Sequence, residues 1–90
     1  PRGTAKLCMS YFVYVIGSFN NSKLVTYVGY TNSLKKRLNL HNTGKGAKFT
    51  RGRNWKLIYF EKYSSKNKAI SREYYIKKNR KIRNLIKELY

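Results

Sequence analysis

The apolar side chains of this chain gather in three segments that are typical of β-strands. Aromatic and β-branched residues dominate residues 11–16, 24–30 and 56–63, and such side chains favour extended, half-buried backbone. Residues 17–22, between the first two segments, contain Gly, Ser and two Asn, which are turn-forming residues. The sequence therefore predicts an antiparallel hairpin, with a third strand much later in the chain.

A helix is predicted to follow the second strand, with Asn32 or Ser33 as its N-terminal cap. Its apolar face carries two leucines, and Arg37 and His41 lie on that same face. Because the leucines turn this face toward the sheet, Arg37 and His41 are expected inside the core or at its rim.

Two further helices are predicted after the third strand. The first covers about residues 66–79 and begins after a serine cap, Ser64 or Ser65. Its apolar positions, which surround Glu73, are Ala69, Ile70 and Ile76. The second covers residues 80–90, and its apolar stripe consists of Ile82, Leu85, Ile86 and Leu89.

The order of these elements predicts an α+β fold with a small three-stranded antiparallel sheet flanked by helices. A chain of 90 residues supports one domain with a modest core, and we assign that domain to residues 11–90. Residues 1–10 are interpreted as an N-terminal extension, with Met9 as the natural start and residues 1–8 as an added segment.

Cysteine usage and hydropathy exclude several classes of protein. The one cysteine, Cys8, has no partner for an internal disulfide, and no Cys/His cluster has the spacing of a zinc site. The sequence shows neither a signal peptide nor a membrane span. An intracellular, cytoplasmic location is therefore expected.

The charge of the chain is strongly one-sided. Its 21 Lys and Arg residues outnumber three acidic residues, and the formal net charge is +18. A biased gene composition explains the many lysines better than it explains the complete lack of Asp. Since such a charge repels itself in a compact fold, a polyanionic partner is expected to offset it. Nucleic acid is favoured because phosphate contacts release counterions, and anionic membranes or heparin-like polymers are the alternatives.

A basic, glycine-containing loop is predicted over residues 42–54. Its candidate nucleic-acid-binding residues are Lys45, Lys48, Arg51 and Arg53. Phe49 lies within the loop and Trp55 follows it, and basic groups interleaved with aromatic rings suit single strands, whose bases stack on rings. For Trp55, core packing at the entry to the third strand is the favoured alternative. None of these residues is expected to read the base sequence, so we predict a preference for nucleic-acid shape or strandedness.

Glu73 is an acidic residue on the apolar face of its predicted helix. A partly buried carboxylate needs a cation or hydrogen bonds. Two interpretations are equally supported, namely pairing with an arginine and binding of a hard divalent cation such as Mg²⁺.

Two tyrosines on neighbouring strands are a second candidate for chemistry. Tyr14 and Tyr27 are expected near each other, with Arg37 and His41 on the helix that follows. Core packing is the common role of strand tyrosines. In the functional alternative, nearby cations lower the pKa of a phenol, which then takes a proton from water, and Arg37 neutralises charge on a phosphate.

The order of these residues resembles the GIY-YIG nuclease superfamily. The segments FVY (residues 12–14) and YVG (residues 27–29) are similar to the paired motif that names the family, with Phe12 in place of its glycine. The pattern continues with LxxRLxxHN (residues 34–42), the basic loop and AxxRE (residues 69–73), and it covers residues 11–89. The loop is similar to that of the small stand-alone bacterial branch.

The resemblance implies a Mg²⁺- or Mn²⁺-dependent endonuclease that acts on single-stranded or branched DNA. Tyr14 and Tyr27 would lie at the active site, where one of them deprotonates or orients the attacking water. Arg37 would stabilise the transition state, and His41 would accept a proton or position the water. Glu73 would bind the metal ion, which polarises the scissile phosphate and helps the leaving oxygen depart.

Two other functions remain open. A non-catalytic nucleic-acid binder explains the charge equally well, although it does not explain why all five candidate site residues are intact. A binder of acidic membranes requires a basic amphipathic helix, which residues 80–90 could form. No oligomeric state is predicted.

Overall fold

A three-stranded antiparallel sheet forms the centre of the fold in the computed structural model, which describes residues 10–89. Its strands are β1 (Tyr11–Asn20), β2 (Lys23–Thr31) and β3 (Lys56–Tyr63), and β1 lies between the other two. The predicted α+β fold and the predicted hairpin are confirmed. The expectations for residues 1–9, including Cys8 and Met9, lie outside the described part.

The turn between β1 and β2 is shorter than its sequence suggests. It consists of Asn21 and Ser22 alone, and both have a positive φ, 53° and 72°. Two-residue turns of this kind match the twist of paired strands, and Asn tolerates the conformation. The first strand therefore continues to Asn20 rather than ending at residue 16, and residues 17–20 pair with β2.

Three helices and a 3₁₀ turn complete the described part of the fold. They are α1 (Leu34–Asn42), the 3₁₀ turn (Lys48–Thr50), α2 (Lys66–Lys78) and α3 (Arg80–Leu89). The side chains of Ser33 and Ser65 accept hydrogen bonds from backbone N–H groups in the first turns of α1 and α2, as predicted for helix caps. None of the helices between residues 10 and 89 is long and apolar enough to cross a bilayer.

Apolar side chains cover both faces of the sheet, because alternate residues of the central strand point to opposite faces. One core includes residues of α2 and α3 and consists of Val13, Val15, Val28, Ala69, Ile76 and Ile86. On the other face Tyr14, Ile16 and Trp55 form a second cluster, and Leu34 and Leu38 pack against it. The predicted inward orientation of the leucine face of α1 is therefore confirmed.

Three residues that were assigned to apolar helix stripes are exposed instead. Ile70 of α2 and Leu85 and Leu89 of α3 have 37%, 60% and 78% of their surface exposed. The third helix packs against the core through Ile82 and Ile86, which lie four residues apart and share one narrow strip of its surface.

Glu61 on β3 joins the sheet to α2 through a polar network. Arg72 of α2 donates hydrogen bonds to its carboxylate from Nε at 2.8 Å and from Nη2 at 3.0 Å. The hydroxyls of Tyr59 and Tyr63 donate to the same carboxylate. Burial alone would raise the pKa of Glu61, but the hydrogen bonds from these three residues and the charge of Arg72 outweigh burial and lower the pKa to about 2.

Replacing Glu61 with Gln is expected to lower the free energy of unfolding at pH 7 by about 2 kcal/mol, because it leaves Arg72 without its counter-charge. Folding lowers the pKa of this carboxyl from 4.5 to about 2. Its contribution is therefore complete above pH 4.5 and is lost as the pH falls through 2. Urea unfolding followed by Trp55 fluorescence measures the difference, and an equal deficit at pH 7 and pH 2 would contradict this account.

Candidate active site

Three candidate site residues, Tyr14, Arg37 and His41, meet at the Tyr14 hydroxyl in the middle of the central strand. Tyr14 is buried, and its hydroxyl oxygen lies 2.7 Å from Nε2 of His41, which is also buried. Arg37, one turn earlier on α1, donates to the same hydroxyl from Nε at 3.4 Å. The prediction that Arg37 and His41 lie inside the core or at its rim is confirmed.

The hydroxyl of Thr50 fixes the protonation pattern of His41. It lies 2.8 Å from Nδ1 of His41 and 2.8 Å from the carbonyl oxygen of Ala47. A hydroxyl has one hydrogen, and two oxygens this close would repel each other without it, so we assign that hydrogen to the Ala47 contact. Nδ1 of His41 then donates to Thr50, and Nε2 accepts the hydrogen bond from the Tyr14 hydroxyl.

Burial keeps both Tyr14 and His41 neutral near pH 7. Burial raises the pKa of Tyr14, the hydrogen bond and charge of Arg37 lower it by less, and the nearby Tyr27 and Glu73 raise it further. The expectation that cations lower the pKa of such a phenol is therefore wrong for Tyr14, because desolvation outweighs Arg37. Burial also lowers the pKa of His41, and the charge of Arg37 lowers it further. A neutral phenol thus donates to a neutral imidazole.

Two glycines make room for these side chains. Gly29 of β2 pairs with Tyr14 in register, and a methyl group at position 29 would collide with the Tyr14 hydroxyl and ring. A methyl group at position 46 would collide in the same way with Nδ1 of His41. The close approach of Tyr14 to the neighbouring strand therefore requires the glycine of the YVG segment.

Tyr27 and Glu73 border the same group of side chains. The ring centroids of Tyr27 and His41 are 5.1 Å apart, and Glu73 is near enough to Tyr14 to influence its pKa. Glu73 Oε2 lies 2.9 Å from Nζ of Lys77, and that ammonium group lies 5.8 Å from the ring centroid of Tyr27. The residues that the structure brings together in one site are thus Tyr14, Tyr27, Arg37, His41 and Glu73.

The surroundings of Glu73 decide against the first of its two interpretations, pairing with an arginine. Within residues 10–89 its ion pair is with Lys77, and the neighbouring Arg72 is bound to Glu61 instead. The Glu73 side chain is 16% exposed, so it is not fully enclosed by the protein.

The donor atoms at this site fit a partly hydrated divalent ion. Between residues 10 and 89 there is no group of three or more His, Cys, Asp or Glu side chains that could hold a metal ion. A single carboxylate suits Mg²⁺, which keeps several waters and is completed by the phosphates of a ligand. An enclosed metal site made of protein ligands alone does not fit these residues.

The basic loop meets the site through its 3₁₀ turn. Phe49 is 53% exposed, and its ring stacks on that of Tyr27, with centroids 6.1 Å apart and an interplanar angle of 20°. The guanidinium carbon of Arg53 lies 5.7 Å from the Phe49 centroid. Of the four predicted binding residues, Arg53 is therefore tied to the site by contacts. The other three predicted binding residues are exposed to solvent, namely Lys45, Lys48 and Arg51.

Trp55 is a core residue, which the sequence favoured over a stacking role. It is buried, and its Nε1 donates a hydrogen bond to the carbonyl oxygen of Thr50 at 2.9 Å. The backbone N–H of Trp55 donates to Asn42 at 2.6 Å, so the residue ties the end of α1 to the start of β3.

Sequence reasoning missed three residues of this site, Thr50, Gly46 and Lys77. Lys77 follows Glu73 by four residues on one helix, so the ion pair was readable from spacing alone. Thr50 and Gly46 act through contacts with His41 that the folded loop creates, and neither carries a local signal in the sequence.

The fold and the arrangement of these residues are those expected for a GIY-YIG nuclease domain, and a comparison of the sequence with models of protein families supports this class. The family model described as the GIY-YIG catalytic domain matches residues 10–86. The chain belongs to the GIY-YIG family, as the resemblance of its motifs implied. The matching domain is that of an endonuclease-type enzyme, which implies DNA as the substrate, and nucleases of this family generally use divalent metal ions.

Small bacterial UPF0213 proteins are similar to this chain over most of its length. One from Clostridium perfringens is 52% identical over 68 residues, which cover 74% of this chain and 70% of that protein. The UPF0213 protein YazA of Bacillus subtilis is 45% identical over 82 residues, 90% of this chain and 77% of YazA. The solution NMR structure of a UPF0213 protein from Bacillus halodurans has 34% identity and a TM-score of 0.49, covering 90% of this chain and 85% of that one.

Proposed function

We propose that the protein is a metal-dependent endonuclease that hydrolyses phosphodiester bonds in DNA. The observation that carries this proposal is the hydrogen-bonded set of Tyr14, His41 and Arg37 beside the carboxylate of Glu73. Hydrolysis requires a group that removes a proton from water and a group that stabilises negative charge on the phosphate. These side chains supply both.

Tyr14 is proposed to take the proton from the attacking water. As its oxygen accepts that proton, its own hydroxyl proton moves to Nε2 of His41, 2.7 Å away. The water oxygen bonds to phosphorus, the bond to the leaving sugar oxygen breaks, and that oxygen takes up a proton from solvent. The lowered pKa of His41 keeps its imidazole free to accept a proton near pH 7, and Thr50 holds the ring in this orientation.

Arg37 and Tyr27 are proposed to act on the phosphate side of the reaction. The guanidinium of Arg37 remains protonated throughout, so it can offset the negative charge that develops on the phosphoryl group. The ring of Tyr27 lies between His41 and Phe49. Its proposed role is to orient the water or the phosphate beside Tyr14.

Glu73 is proposed to bind the divalent ion, Mg²⁺ or Mn²⁺, with water and phosphate oxygens as the remaining ligands. When bound, the ion supplies positive charge that polarises the scissile phosphate and favours departure of the leaving oxygen. The ion pair of Glu73 with Lys77 is expected to loosen at that point. The Lys77 side chain is 46% exposed, so its ammonium group can turn toward water when the ion binds.

Single-stranded or branched DNA is the proposed substrate. The net charge of +18 attracts any polyanion. The exposed cations of the basic loop, Lys45, Lys48 and Arg51, surround the ring of Phe49 in sequence, and rings among cations suit unpaired bases.

The experiment that tests the proposed function offers labelled single-stranded, duplex and branched DNA to the purified protein with Mg²⁺ or Mn²⁺. Cleavage of at least one of these substrates is expected, and chelation of the metal is expected to stop it. If none is cut while binding is tight and salt-sensitive, the protein is a non-catalytic binder of nucleic acid instead.

Replacing Gly29 with Ala is expected to reduce the rate of cleavage roughly 10- to 100-fold, because the new methyl group displaces the Tyr14 hydroxyl from His41. Gly17→Ala is the control for a methyl group added elsewhere in the sheet, since the nearest atoms to that group lie in the side chains of Leu24 and Ile58. Because Gly17 also lines the groove at the end of the hairpin, both variants are compared with the protein in saturating excess over the DNA. Single-turnover rates and circular dichroism measure the two variants. A folded Gly29→Ala protein with the wild-type rate would show that the position of Tyr14 is unimportant.

A further inference from the structure

We propose that Phe49 is a stacking platform for one unpaired base beside the scissile phosphate, and that the adjacent basic groove binds the strand beyond that base. The inference rests on the proposed endonuclease function and adds to it the part of the substrate that the protein recognises. It assigns a nucleotide subsite to residues outside the catalytic group.

Phe49 packs against residues of the site although half of its surface is exposed. Its ring stacks on Tyr27 at 6.1 Å and is 6.3 Å from Trp55, centroid to centroid. The next residue, Thr50, is buried and bonded to His41 at 2.8 Å. The 3₁₀ turn thereby fixes the Phe49 ring relative to the proposed proton acceptor, so a base on this ring would hold its own phosphate near Tyr14.

Arg53 connects the ring of Phe49 to a groove at the far end of the hairpin. Its guanidinium carbon lies 5.7 Å from the Phe49 centroid, and the residue also lines the groove. The groove has a volume of about 680 Å³, which is within the range of ligand sites. Its polar lining includes Ser18, Asn20, Arg51, Arg53, Asn54 and Lys56.

The chemistry of the groove fits the backbone of a nucleic acid strand. Three of its lining residues are cations, and among the described residues that line it none is acidic. Hydroxyl and amide groups between the cations can donate to phosphate oxygens. A ring at one end and cations along the groove form the arrangement by which proteins bind single strands without reading their sequence.

The exposed ring favours an unpaired base over a duplex. In a duplex each base is already stacked on its neighbours, and reaching Phe49 would require one to be extruded at a cost of a few kcal/mol. An unpaired base needs only to leave solvent. The platform therefore selects single-stranded segments, including those at branches and frayed ends.

Fluorescence anisotropy without divalent metal tests this inference independently of cleavage. Phe49→Ala is expected to weaken binding of a short single-stranded oligonucleotide about 5- to 100-fold and binding of the matching duplex less than about twofold. Phe49→Tyr should keep wild-type affinity, and Phe49→Leu, which retains bulk but cannot stack, should behave like Phe49→Ala. Tyr75→Ala is the matched control, because this aromatic residue is 48% exposed on α2 and packs against Arg72 rather than against a residue of the site.

An oligonucleotide with one abasic position, moved along the strand, identifies the stacked base. One position should weaken binding to the wild type and have no further effect on Phe49→Ala. Equal losses for single strand and duplex, or an abasic effect that persists in Phe49→Ala, would overturn the inference. Wild-type protein that binds in this way but cuts no DNA would leave the platform standing and remove the proposed function.

Discussion

Replacing Glu73 with Gln is expected to lower the rate of DNA cleavage about 1,000-fold and to leave the fold and DNA binding intact. Glutamine retains the size of the side chain but lacks the charge that holds a divalent ion. Such an ion stabilises the transition state of phosphate hydrolysis by several kcal/mol, and each 1.36 kcal/mol is a factor of ten in rate. Single-turnover cleavage with excess enzyme measures the rate, and anisotropy measures binding.

Glu88 provides a matched control for this substitution. It is another of the chain's three acidic residues, and it lies exposed near the end of α3 rather than on α2. Glu88→Gln changes the net charge by the same unit, so a general effect of charge on DNA binding would appear in both variants. The wild-type rate is expected for Glu88→Gln. The same rate in Glu73→Gln would exclude Glu73 from the reaction.

Replacing Tyr14 with Phe is expected to reduce cleavage about 10²- to 10⁴-fold, the range of a lost acid–base group. The substitution removes one oxygen and leaves the ring packed with Ile16 and Trp55. His41 and Arg37 each lose a hydrogen-bond partner, so the free energy of unfolding should also fall by about 1–2 kcal/mol. Single-turnover rates and urea unfolding measure the two effects separately.

Tyr30→Phe is the control for the loss of Tyr14. Tyr30 is a half-buried strand tyrosine that packs against the core on the opposite face of the sheet. Its variant is expected to cut DNA at nearly the wild-type rate. If Tyr14→Phe also cuts within about threefold of wild type, the proton does not pass through this hydroxyl, and Tyr27 becomes the candidate acceptor.

The parts of the fold that depend on local signals were predictable from the sequence. Strand composition, the serine caps at Ser33 and Ser65 and the leucine face of α1 all act between residues close in the chain. The leucine face also placed Arg37 and His41 correctly. The motif order then predicted that the five candidate residues share one site, and the structure places four of them, all except Glu73, in direct contact.

The features of the fold and of the site that depend on contacts between distant residues were not predictable from the sequence. Glu61 carries no motif, yet it binds Arg72 across the space between β3 and α2, and no spacing rule links residues eleven apart on different elements. The direction in which the pKa of Tyr14 shifts depends on whether burial outweighs the effect of Arg37. The extent of burial is known only once the core is packed. The exposure of Leu85 and Leu89 depends on which side of α3 meets the core, and in the folded chain that side carries Ile82 and Ile86.

Glu73 was expected to be partly buried because it lies on the apolar face of its predicted helix. Two of the three acids, Glu61 and Glu73, prove to be largely buried. The two carboxylates differ in their partners. That of Glu61 accepts hydrogen bonds from Arg72 and two tyrosines, while that of Glu73 forms an ion pair with one exposed lysine. The more weakly paired carboxylate, that of Glu73, is therefore the one that we propose as the metal ligand.

The most direct test of the proposed active site is one cleavage measurement on wild type, Glu73→Gln and Glu88→Gln, prepared identically and incubated with labelled single-stranded DNA and Mg²⁺. The account predicts that wild type and Glu88→Gln cut at similar rates, while Glu73→Gln binds the DNA equally well and cuts it about 1,000-fold more slowly. Equal cutting by all three proteins, or no cutting by wild type with either Mg²⁺ or Mn²⁺, would contradict it.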